Sequence, residues 1–156
     1  LGVLGEFPEF APVIGLLDTD GDIAPLISEL TAVFARVYLA NANNIPTVIA
    51  FIHGVTSHAA LGNIAPHVGE ASMRSALRYA WQTGCGLYAC YGSSAAIGGE
   101  IEAVDENAED LIERAIENGD EHVIKFTEAC LSRYALDPSP AYFAAAKHAG
   151  GIIRRR

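Results

Sequence analysis

The side chains best suited to hold a metal or move a proton are five histidines: His53, His58, His67, His122 and His148. His53 and His58 lie five positions apart, about 140° around a helix, which makes them a poor pair for one ion. No HEXXH spacing occurs, so a zinc-hydrolase helix has no support. A lone helical histidine is more often a hydrogen-bonded core or surface residue than a ligand. His122 and Lys125 form the one suggestive pair, because residues three apart are neighbours on a helix face. Lys125 also follows Glu121 by four, the favourable order for an ion pair, and shares a helical-wheel sector with Glu121, Glu128 and Ser132. Spacing alone therefore reads it as a solvated lysine.

Nucleophilic and phosphate chemistry find less. There is no GxSxG elbow and no Cys–His signature, and Gly92-Ser93-Ser94 reads as ordinary loop. Gly98-Gly99 is not followed by the Lys and Ser/Thr of a phosphate loop. Tyr79, Trp81, Tyr88 and Tyr91 could line a flat pocket, although core packing explains the same series.

The elements that must position these residues are helices. Asp20 or Asp22 caps a stripe of Ile23, Leu26, Ile27, Leu30, Val33, Phe34, Val37 and Tyr38, closed by Asn41, Asn43 and Asn44. Pro46 starts a second helix through Val48, Ile52, Val55 and Ala59 to Gly62-Asn63. Pro66 to Gly69 forms a connector, and a third helix runs from about Ser72 to Tyr91. Gly84 and Gly86 inside it each cost about 1 kcal/mol against Ala, which suits close approach of a helix or ligand, or a kink. Residues 92–104 read as loop. Asn107 and Asp110 cap a fourth helix that ends at Asn118-Gly119, and Asp120 caps a fifth through Tyr134. Asp137-Pro138-Ser139-Pro140 breaks the chain before a last helix, Ala141 to Ala149. No segment alternates with period two for long, so the expected class is all-α, a multi-helix bundle.

Composition narrows the class of function. At 156 residues the chain fits one domain, and half of it is apolar without an uninterrupted apolar stretch of bilayer length. Ten basic against nineteen acidic residues give a charge of −9, which disfavours nucleic acid. Arg154, Arg155 and Arg156 form the one basic cluster and read as a frayed tail. Cys85, Cys90 and Cys130 form no CxxC pair, which points to a reducing cytoplasm without disulfide or structural zinc. Residues 1–20 read as an irregular, apolar lead-in, and the start at Leu1 suggests a piece of a larger helical domain. Such a piece should leave an apolar face exposed and self-associate or bind a missing half.

Three stretches together resemble a known family. They are Phe51-Ile52-His53-Gly54-Val55-Thr56, then Leu77-Arg78-Tyr79-Ala80-Trp81-Gln82 running to Leu87-Tyr88-Ala89, then Asp120 to Cys130 with the segment DEHVIK-x-TEA. In order and spacing, residues 22–149 resemble the C-terminal half of the questin oxidase-like family. That resemblance implies a helical oxygenase that inserts oxygen into, or opens, polyketide-derived aromatic rings of the anthraquinone type. It implies O2 and a small aromatic molecule as partners, NADPH in some members, and a non-haem iron held by histidines and a carboxylated lysine. Carried onto this sequence, the implied ligands are His53, His122 and Lys125, with Thr56, Trp81, Gln82, Tyr88 and Tyr91 shaping a substrate pocket. A carboxylated lysine gives iron a hard oxygen donor beside imidazole. The three ligand side chains should then converge on one polar point inside the bundle, against the wheel reading of Lys125. Family members are commonly more than twice this long, and further histidines would come from an N-terminal half. The rival readings are a metal-free helical interaction module and a hydrolytic zinc site, for which no spacing is present.

Overall fold

Phe34 organises the centre of the molecule. In the computed structural model, which describes residues 2–93 and 97–154, its ring lies where three helices meet. These are α1 (Ile23–Asn41), α2 (Ile45–Ile64) and α3 (Glu70–Tyr91). A Cβ on Gly54 of α2 would stand 3.2 Å from the Phe34 ring, and one on Gly84 of α3 would stand 2.1 Å from it. Glycine at both positions is what admits the ring. The helix-propensity cost of Gly84, about 1 kcal/mol, is offset by burying an aromatic side chain, which contributes about 1.5–3 kcal/mol. Close helix approach is thus the purpose of Gly84.

Around this joint the chain forms an all-α, multi-helix fold. After α3 come α4 (Ala108–Asn118), α5 (Glu121–Tyr134) and α6 (Pro140–Ile152), and there is no strand among the described residues. Short connections make α1 and α2 adjacent, and this pair forms the spine. On one side it carries α3; on the other it carries α5 and α6, which α4 covers in turn. The core runs through Tyr38, Phe51, Val55, Phe126 and Tyr142, and Ile27, Leu30, Met73 and Leu77 form a second cluster toward the start of α1.

The caps explain the helix boundaries. Asn44 and Thr47 exchange hydrogen bonds in a capping box at α2, and Asn107 and Asp110 do the same at α4. Gly119 closes α4 with φ of 72°, the left-handed conformation that glycine adopts without cost. Asp120 accepts from His122 N at 2.8 Å and starts α5. Asp22 begins α1 without a side-chain cap. Asn41 ends it by donating to Val37 O and accepting from the Ser93 backbone at 2.7 Å, so a buried amide ties α1 to the segment after α3.

Some expectations change. The lead-in is not irregular: it contains 3-10 helices at Gly2–Glu6 and Ala11–Leu16, the second held to α3 by Trp81 Nε1 donating to Val13 O at 2.9 Å. A further 3-10 turn, Ala65–His67, forms the connector after α2. Both α1 and the stretch Ile45–His67 are long and apolar enough to cross a membrane by length and composition, despite interruptions such as Glu29 and Arg36. Their buried faces form much of the core described above. Leu1, Ser94 in the loop, and Arg155 and Arg156 in the basic cluster lie outside the described residues.

Glycine substitutions test this packing. Gly84→Ala should destabilise the chain by about 1–3 kcal/mol, because the ring pressed by the new methyl is confined by Gly54 on α2. Gly151→Ala, where an added Cβ meets nothing within 4 Å, should instead stabilise α6 by up to about 1 kcal/mol. Urea unfolding of both variants checks the opposite signs.

Candidate functional site

Two of the three expected metal ligands come together. α2 packs on α5, and this brings the rings of His53 and His122 to 6.1 Å between centroids, nearly edge to face. His53 Nδ1 lies 2.6 Å from the carbonyl of Ile49. A carbonyl only accepts, so Nδ1 carries the proton and Nε2 keeps its lone pair. His122 Nδ1 lies 3.1 Å from Asp120 Oδ1, so a carboxylate fixes its tautomer in the same way. The Asp120 carboxyl is held below its usual range, chiefly by the backbone N–H of His122 and also by its ring. The pair therefore presents two oriented imidazoles at an edge of the α2–α5 seam, His53 exposed and His122 half-buried.

Lys125 does not join them. Its Nζ donates to Glu121 Oε2 at 2.8 Å, and both side chains are more than two-thirds exposed, at 69% and 68%. The expected convergence inside the bundle is thus replaced by a surface ion pair. The reason is local: Lys125 is one turn from Glu121 on the solvent side of α5, whereas the buried side is occupied by Val123, Phe126 and Cys130. Among the described residues no group of three or more His, Cys, Asp or Glu stands close enough to hold a metal ion. Two imidazoles fit an iron site; the lysine as placed does not.

The expected substrate residues are spread over several surfaces. Thr56 donates its hydroxyl to Ile52 O at 3.0 Å within its own helix. Trp81 packs edge-on against Phe34 at 6.2 Å, and Tyr88 donates to Ser93 O at 2.9 Å, so both bind the chain to itself. Tyr91 is exposed, as is Tyr79. Gln82 lines a cavity of about 380 Å³ between the lead-in and α3, whose aromatic walls are Phe7 and Phe10, and Tyr79 borders a separate one of about 460 Å³ with Ile14 and Arg78. Gly86 opens the floor of the Gln82 cavity.

Other polar residues carry more of the structure than the sequence suggested. His58 is fully buried and stacked on Phe34 at 4.7 Å, with Nδ1 bonded to Gly54 O at 2.7 Å and Nε2 without a partner. Its signal was its place three residues after Val55 on an apolar face. His148 shares a hydrogen bond of 2.9 Å with the hydroxyl of the buried Tyr38. Arg133 is buried, one turn beyond Cys130 on the stripe of Val123 and Phe126. That apolar register was the available sign. Comparison of the chain with protein-family models, curated proteins and solved structures gives no match.

Burial lowers the pKa of His58 and of His148 below the ordinary 6.5. Both are then neutral in the fold at pH values where the unfolded chain already binds protons. Stability should accordingly fall as the pH drops through 6.5 toward the folded pKa values. The carboxylates with lowered pKa, Asp120 and Glu121, act in a separate window, below their ordinary 3.8 and 4.5. The urea midpoint should decrease between pH 8 and about pH 5.5 in the parent chain, and less in His58→Gln with His148→Gln. Equal slopes in the two proteins would refute this assignment.

Proposed function

We propose that the chain is the helical part of an oxygenase of the questin oxidase-like type, acting with O2 on a polyketide-derived aromatic ring, with His53 and His122 as imidazole donors to a non-haem iron. One observation supports this over the other readings: two histidines from different helices face each other with both Nδ1 atoms already engaged. Metal-ligating histidines commonly have this second hydrogen bond, to a carbonyl or a carboxylate. Iron, when bound, supplies the redox centre for O2 chemistry. The protein's own contribution is to fix the imidazoles: the Ile49 carbonyl orients His53, and Asp120 orients His122. In this reading donors beyond α2 and α5 complete the set, and NADPH serves as reductant where one is consumed. Lys125 would join only by leaving Glu121 and taking up CO2 as a carbamate.

A second reading is a metal-free interaction module. The observation in its favour is an apolar groove between α4 and α5, where Ile112, Ile116 and Ile124 are 45%, 66% and 43% exposed.

Anaerobic titration with Fe(II), and with Co(II) as a spectroscopic probe, separates the two. Metal should perturb the ring-nitrogen resonances of His53 and His122, and His53→Ala or His122→Ala should abolish the effect. Asp120→Asn should weaken binding about 10–100-fold. Lys125→Ala should matter only when bicarbonate strengthens binding in the parent chain. A folded protein whose histidine resonances ignore both metals would leave the interaction module as the better reading.

A further inference from the structure

Arg133 poses an electrostatic problem that the chain does not solve internally. The residue is only 7% exposed, and its Nε has no hydrogen-bond partner. Among the described residues no carboxylate lies within ion-pair distance of it, and no hydrogen bond from its side chain is present. A guanidinium cannot shed its proton near neutral pH, so burial does not neutralise it. A charge held at this depth without a partner is unfavourable. A counter-charge from outside the chain would remove that cost.

The surroundings describe what would fit. Arg133 lines a cavity of about 510 Å³ between the start of α1, the end of α2 and the end of α5, within the usual size range of small-molecule sites. Much of the wall is apolar, from Pro25, Ile27, Pro66 and Leu136. Gly62 backs the guanidinium: a Cβ there would lie 2.4 Å from Nη1, so only glycine lets the charge sit at this depth. The first turn of α1 also borders the cavity, and no side chain caps this 19-residue helix. Its N-terminal amides and dipole favour an anion. Asp137, exposed, lies on the same wall and offsets part of the positive potential, which disfavours a multiply charged ligand.

We propose that this cavity binds a small organic monoanion, a carboxylate on an apolar body, with Arg133 as the group that holds the charge. The site is separate from the histidine pair: Arg133 is roughly 16 Å further along α5 than His122. It does not depend on the iron reading.

Calorimetry and thermal unfolding in a buffer free of carboxylates test the proposal, with octanoate as the probe. Octanoate should bind and raise the melting temperature, and neutral octanamide should bind at least tenfold more weakly. Arg133→Met should lose at least tenfold in octanoate affinity while keeping its helical circular dichroism. Gly62→Ala should do the same, because the new methyl displaces the guanidinium; it carries the test if Arg133→Met does not fold. Chemical-shift changes on octanoate addition should centre on Gly62 and Arg133 Nε. Undiminished affinity in folded Arg133→Met or Gly62→Ala would overturn the proposal. So would no octanoate binding at millimolar concentration, or binding of inorganic phosphate in its place.

Discussion

The depth at which Phe34 sits controls how three helices meet. Its ring occupies space that any side chain on Gly84 would fill, and a side chain on Gly54 would press on it more lightly, at 3.2 Å. With the ring in place, α2 and α3 dock on α1 at one distance, and the turn of α2 facing α1 must carry small or flat groups. His58 is such a group: it lies almost parallel to the ring, at 17°, and is wholly enclosed. Interiors pack at crystal-like density, so a change at this contact propagates to every helix that touches it. The rotation of α2 about its own axis follows from the same contact. With Gly54 and His58 turned to Phe34, His53 is left at the edge, where α5 supplies His122.

Buried polar groups divide into those the fold satisfies and those it does not. Asn41 is fully engaged across two segments, and Tyr38 has His148. These bonds fix the fold's register at little net cost, since each replaces a bond to water. His58 Nε2 and Arg133 Nε remain unsatisfied. For His58 the neutral ring limits the penalty. Arg133 has no such recourse, which is why its cavity invites a ligand while the histidine reads as packing. The α2–α5 pair thus has a polar feature toward each end, two oriented imidazoles at one and a buried cation at the other, with an apolar core between them.

Much of the fold was legible in the sequence because its signals act between near neighbours. Asn107 and Asp120 cap where their side chains predict, Gly119 terminates α4, and most of the apolar stripe of α1 became buried, whereas Asn44, read as an end of α1, caps α2. Such interactions span one turn and form the same way in whatever bundle the helix joins. The wheel reading of Lys125 as an ion-paired surface residue also matches the structure, for the same reason.

What only the tertiary structure decided is which faces met. His53 and His122 carry no mutual signal in sequence, since their apposition depends on how α5 docks against α2. The aromatic series of α3 suited either a flat pocket or core packing, and the fold divides it: Trp81 packs on Phe34 while Tyr79 and Tyr91 face solvent. Gln82 gained a cavity only because the lead-in folded over α3. Arg133 lies in an apolar register that the sequence does show, but its charge argued for exposure, and the absence of a buried acid opposite it is a property of the assembled helices. Periodicity and caps are set by covalent spacing, whereas counter-charges and cavities are set by surfaces that exist only once the helices pack.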